Sequence, residues 1–100
     1  MKIVTFEEID ESLTQGHDVC FVESDCGGDA DVVIIDINTI FDYEEKKLAL
    51  CNDEYTSVAV IDDPSDFDAF KNFGITAWIK RDDLSDLPNL LADIKIRMGL

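Results

Sequence analysis

The chain has 100 residues, with 8 basic and 23 acidic side chains and a formal charge of −15. That length is one domain, and it buries enough surface to fold without disulfides or a structural metal. The charge repels nucleic acid and anionic membranes and favours basic protein partners or cations. Three cysteines, Cys20, Cys26 and Cys51, show no Cys-x-x-Cys spacing. An odd number without that spacing argues against a disulfide framework or a zinc site, and leads to the expectation of buried apolar fillers in a reducing cytoplasm. No segment has the apolar length of a membrane span, and acidic residues from Glu7 onward do not fit a signal peptide.

Short apolar runs alternate with amphipathic stretches, the pattern of an α/β domain. Ile3–Phe6 reads as a first strand. Glu7–Gln15 reads as a brief helix, with Ile9 and Leu13 on one face and Gly16 as its stop. His17 follows as an exposed loop residue. Val19–Val22 is a second strand, and Ser24–Ala30, with Gly27 and Gly28, is a loop. Val32–Ile37 is a third strand, and its unbroken apolar run predicts burial on both faces.

A helix is expected from Asp42, as cap, to Cys51, with Glu45 reaching back to the helix start. Val58–Ile61 is a fourth strand. Asp63 and Pro64 suit the N-cap and first position of a helix that carries Phe67, Phe70 and Phe73 on its core side and stops at Gly74. Ala77–Ile79 is a fifth strand. Ser85 caps a last helix, with Leu87, Leu90, Leu91, Ile94 and Met98 as its buried stripe and Pro88 in its first turn. The sum is five strands and four helices. Only about eight residues join strands two and three, fewer than a helical crossover needs. Either an extended loop returns the chain, or strand two is antiparallel and forms a hairpin.

In an open parallel sheet, ligands bind at the C-terminal ends of the strands. Acidic residues cluster at those ends. Glu7 and Glu8 follow strand one, Asp36 ends strand three, and Asp62 and Asp63 follow strand four. Like charges brought together are costly without a cation, and an oxygen-rich site of this kind suits magnesium or calcium. Lys80 or Arg81, after strand five, is the candidate internal cation. Each of these residues also has a plainer reading: Asp36 as a turn cap, Glu7 and Glu8 as acids of a helix first turn, Asp63 as an N-cap, and Arg81 as a solvated surface cation.

The stretch Asp31-Val32-Val33-Ile34-Ile35-Asp36-Ile37 resembles the segment of response-regulator receiver domains that carries the phosphorylated aspartate. Met1–Glu8 is similar to the receiver opening, where an acidic pair binds magnesium. Phe73–Arg81 is similar to the Gly-to-Lys fifth-strand segment. The resemblance is best over Asp31–Met98. It implies a flavodoxin-like α/β/α sandwich with a five-stranded, mostly parallel sheet in order 2-1-3-4-5, lacking the helix between strands two and three. It implies Asp36 as phosphoacceptor and Glu7, Glu8 and Asp36 as magnesium ligands. Aligned without a gap from Gly74, Trp78 takes the switch-aromatic position and Arg81 that of the lysine. One gap puts Lys80 there instead.

Several departures bear on phosphorylation. The acidic pair is Glu rather than Asp. Asp62 replaces the fourth-strand hydroxyl, and Asp63 lies beside it at the phosphate-binding position. Asp82 replaces the proline after the lysine, and Asn38-Thr39-Ile40-Phe41 replaces the Pro and Gly pattern after the acceptor. The resemblance is therefore to a degenerate or pseudo-receiver, a signal-transduction domain rather than an enzyme. It would act by protein–protein contact through the surface of helix 64–73, strand 76–80 and the last helix. If phosphorylation survives, a histidine kinase or phosphotransfer protein would be the donor.

Two other readings compete. An acidic protein of this charge would occupy a basic groove as a nucleic-acid mimic, with binding that collapses in salt. Ile35–Asp42 and Val60–Asp66 resemble the first and last motifs of haloacid-dehalogenase-type phosphatases, with Asp36 as nucleophile. Asn38 stands there in place of the general acid, and about twenty residues between the motifs leave no room for the intervening strands.

Overall fold

The structure is a computed structural model that describes residues 1–24, 26–75 and 77–100. Asp25, in the expected 24–30 loop, and Thr76, in the expected 76–80 surface, lie outside the described residues. Five strands form one sheet: β1 (Lys2–Thr5), β2 (Asp18–Phe21), β3 (Ala30–Asp36), β4 (Cys51–Ile61) and β5 (Ala77–Lys80). Their order is β2-β1-β3-β4-β5, and every neighbouring pair is parallel. Strand two is therefore no hairpin partner. The described residues between Phe21 and Ala30 make the return without a helix. Eight extended residues reach roughly 27 Å, enough to run back along a short strand.

Among the described residues three α-helices accompany the sheet: α1 (Ile40–Leu50), α2 (Asp66–Asn72) and α3 (Leu87–Met98). The expected helix over 7–15 is reduced to a single 3-10 turn at Glu11–Thr14. Asp10 explains the late start, because its carboxylate accepts the Ser12 N–H at 2.9 Å and caps the chain there. Gly16 at φ +86° ends the turn one helical turn later. Residues 81–86 form a second 3-10 segment that runs into α3. The last helix thus begins at Leu87 with Asp86 as its cap, not Ser85.

Alternation along the strands divides the core in two. Val4, Val33, Ile35, Ala59 and Ile61 face Ile40 and Tyr43 of α1 and Phe70 of α2. Ile3, Val32, Ile34, Val58, Val60 and Ile79 face Leu87, Leu91 and Ile94 of α3. Residues 32–35 of β3 are wholly inaccessible, as a central strand covered on both faces must be. Phe70 is the buried member of the expected aromatic stripe. Phe67 and Phe73 are only half-buried.

β4 is much longer than Val58–Ile61. It starts at Cys51, directly after α1, and its register with β3 is irregular between Ala30 and Val32. Asn52-Asp53-Glu54 are exposed, which is why no apolar pattern marks this half of the strand. The thiols also differ from expectation. Cys20 and Cys26 form a disulfide, with Cα atoms 6.0 Å apart, and only Cys51 is free and buried. Cys20 ends up near Cys26 because the chain leaves β2 through a tight turn, with Ser24 N–H donating to the Phe21 carbonyl at 2.8 Å. Sequence spacing alone does not encode that turn. His17 is half-buried rather than exposed, its Nδ1 3.3 Å from the Met1 amine. Burial, then the neighbouring amine, pushes its pKa down. No helix among the described residues is long and apolar enough to cross a membrane.

Candidate functional site

Parallel strands put their C-terminal ends on one rim, and four chain segments deliver charge there. Glu7 follows β1, Asp36 is the last residue of β3, Asp62 follows β4 and Arg81 follows β5. Arg81 joins them. Its Nη2 lies 3.1 Å from Glu7 Oε2 and 3.6 Å from Asp36 Oδ2, and its Nε donates to Asp62 Oδ1. The guanidinium fork suits this task, because a planar group with several fixed donors serves several carboxylates at once. Asp62, beyond the other carboxylates, raises the Arg81 pKa most.

The carboxylates differ in setting. The Glu7 side chain is 10% exposed and the Asp36 side chain 9%, whereas Asp62 is 51% exposed. Glu7 Oε1 is buried with no hydrogen-bond partner among the described residues. Burial, reinforced by the adjoining Asp36 carboxyl, pushes the Glu7 pKa up to about 7, although Arg81 pulls the other way. Removing a carboxylate from water penalises its charged form, and a second carboxylate adds to that penalty.

Asp36 is held from the other side by its own turn. Its Oδ1 accepts the Asn38 N–H at 3.1 Å, the Thr39 N–H at 3.0 Å and the Thr39 hydroxyl at 2.9 Å. The Asp36 N–H in turn donates to Thr39 Oγ1 at 3.0 Å. This turn leads into α1, whose first residue is Ile40, so Asp42 lies within the first helical turn and is not the cap. Thr39 is the residue that sequence reasoning missed. Its signal was the Asp-x-x-Thr spacing, in which a short hydroxyl three residues on reaches back to a strand-end carboxylate.

The remaining candidates lie apart from this centre. Glu8 is exposed, and no ion pair or hydrogen bond among the described residues ties it to the cluster. Asp63 caps the turn before α2, its Oδ1 accepting the Ser65 N–H at 2.9 Å. Ser65, not Asp63, is the residue next to the helix. Lys80 is exposed, so Arg81 is the fifth-strand cation that meets the acids. Trp78 is 44% exposed and packs edge-on against Phe67, with ring centroids 5.3 Å apart.

A shallow cleft of about 340 Å³ opens at the opposite, N-terminal end of the strands, lined by Asp31, Asn52, Asp53, Glu54, Met98 and Leu100. Asp31 is committed there to the Lys2 N–H at 3.0 Å and the Asn52 amide at 3.1 Å. No family model matches the chain, and neither the curated proteins nor the solved structures hold a match.

Proposed function

We propose that this chain is a receiver-like signalling domain that has exchanged phosphoryl transfer for a built-in ion-pair centre and acts by protein–protein contact. The strand order and the distribution of helices over both faces of the sheet support a flavodoxin-like layering. Asp36 at the tip of the central strand, with Arg81 reaching it from the end of β5, supports the receiver-like reading of the site.

The observation that carries the loss of phosphorylation is the occupancy of Asp36. A nucleophilic carboxylate needs a free lone pair aimed at the incoming phosphorus. Here one oxygen accepts three donors and the other faces Arg81 beside Glu7. Asp62 and Glu7 add negative charge where an anionic donor would approach. A magnesium ion held by Glu7 and Asp36 would have to take the place of the Arg81 guanidinium, which already faces both; Glu8 is too exposed to join it. In this reading Arg81 does a cation's work. The contact surface is α2, β5 and α3, with Trp78 as its apolar anchor. A histidine kinase or phosphotransfer protein would then be a binding partner rather than a phosphoryl donor.

The test is incubation with a small acyl phosphate and magnesium, followed by intact-mass measurement. The expected result is no adduct from a folded protein. A phosphoryl adduct that Asp36→Ala abolishes would restore Asp36 as acceptor and overturn the proposal.

A further inference from the structure

The crossover between β2 and β3 is anchored towards both of its ends. At its upstream end the Cys20–Cys26 disulfide ties it to the edge strand β2. At its downstream end Lys2 Nζ meets Asp29 at 2.6 Å, and Asn52 donates to the Asp29 carbonyl at 3.1 Å. Gly28 passes so close to α1 that an added Cβ would stand 2.8 Å from the Ala49 carbonyl oxygen. Between these anchors Val22 and Cys26 pack on the core face made by Val4, Phe6 and Val33. Val22 and Cys26 thus help to cover this face of the sheet.

We propose that the Cys20–Cys26 bond is a reversible thiol-controlled clamp, whose reduction releases the upstream half of the crossover from β2 while the rest of the fold stays intact. Both sulfurs belong to half-buried residues, within reach of a small thiol. The reductant is a dithiol, or two equivalents of a glutathione-type monothiol. Its thiolate attacks one cysteine sulfur, the Cys20–Cys26 bond breaks and a mixed disulfide forms. A second thiolate resolves that intermediate. Two electrons and two protons pass to the protein, giving Cys20 and Cys26 thiols, and the reductant leaves as its disulfide. Among the described residues β2 is held by one neighbouring strand and the crossover forms no helix, so the change remains local. Cys51, buried against the core with its thiol pushed up to about 11, stays out of the exchange.

The experiment uses the full chain in glutathione buffers of graded redox ratio, with alkylation and intact mass to count thiols and amide hydrogen exchange to locate the change. The expected result is two additional alkylatable thiols under native conditions, with circular dichroism unchanged. Exchange over residues 18–24 should quicken, of the order of tenfold to a hundredfold, as expected for opening a loop this short, while β3 and β4 stay protected. Cys20→Ser should show the fast exchange at every redox ratio. Three outcomes would overturn the proposal: no disulfide in the oxidised protein, a bond that yields only when the whole chain unfolds, or reduction that leaves exchange over 18–24 unchanged. If Cys20→Ser does not fold, reduction of the unmodified chain still decides the matter.

Discussion

Arg81 is the one side chain on which three carboxylates depend. Its removal leaves Glu7 and Asp36, both nearly inaccessible, facing each other with no cation between them, although Asp36 keeps the donors of its own turn. Truncating one partner of a buried charge pair costs several kcal/mol, and part of that is screened here because Arg81 itself is 40% exposed. Arg81→Met should therefore destabilise the fold by roughly 1–3 kcal/mol in urea titration. Arg81→Lys should recover the charge but not the fork, and fall between the two.

Glu7 sets a pH dependence of unusual sign. Its folded pKa of about 7 lies above its ordinary value of 4.5, so between those values the folded chain binds more protons than the unfolded one. Stability from this group is fully present below about 4.5 and is lost as pH rises through about 7. The loss amounts to roughly 1–3 kcal/mol. Thermal melts should fall from pH 5 to pH 8 more steeply for the native chain than for Glu7→Gln. The neutral amide should remove that difference, and parallel pH curves would refute the assignment.

At the scale of elements, the rim was legible because three of its four contributors directly follow an apolar run: Glu7 comes after Phe6, Asp36 after Ile35 and Asp62 after Ile61, while Arg81 stands one residue further on, behind Lys80. Parallel strands then had to bring them to one edge. Other elements left weaker traces. The first helix shrank to a 3-10 turn because two apolar residues, Ile9 and Leu13, cannot outweigh Asp10, Ser12 and Thr14, which favour caps and turns. The early half of β4 escaped notice because Asn52-Asp53-Glu54 point to water. The disulfide was hidden because distance between cysteines on a strand and in a loop is a property of the turn between them, and six residues of separation do not specify it. The crossover also yields a prediction. Gly28→Ala drives a methyl into the Ala49 carbonyl, a backbone atom that cannot step aside. The variant should lose roughly 1–3 kcal/mol in denaturant unfolding, whereas alanine at Gly16, where nothing lies within 4 Å, meets only the strain of its φ of +86°.

For the whole molecule, a charge of −15 on 100 residues is carried almost entirely at the surface, around two apolar layers on either side of β3. The overhang of β4 gives that charge a second purpose. Among the described residues its register with β5 begins at Val58, and the exposed residues Asn52 to Glu54 have no β5 partner on that side. An uncapped ribbon of this kind is a template for another extended chain. Asp53 and Glu54 stand exposed along it. Two copies aligned edge to edge would bring like charges together, so the same acidic residues that obscured the strand also act as gatekeepers against stacking of one molecule on the next.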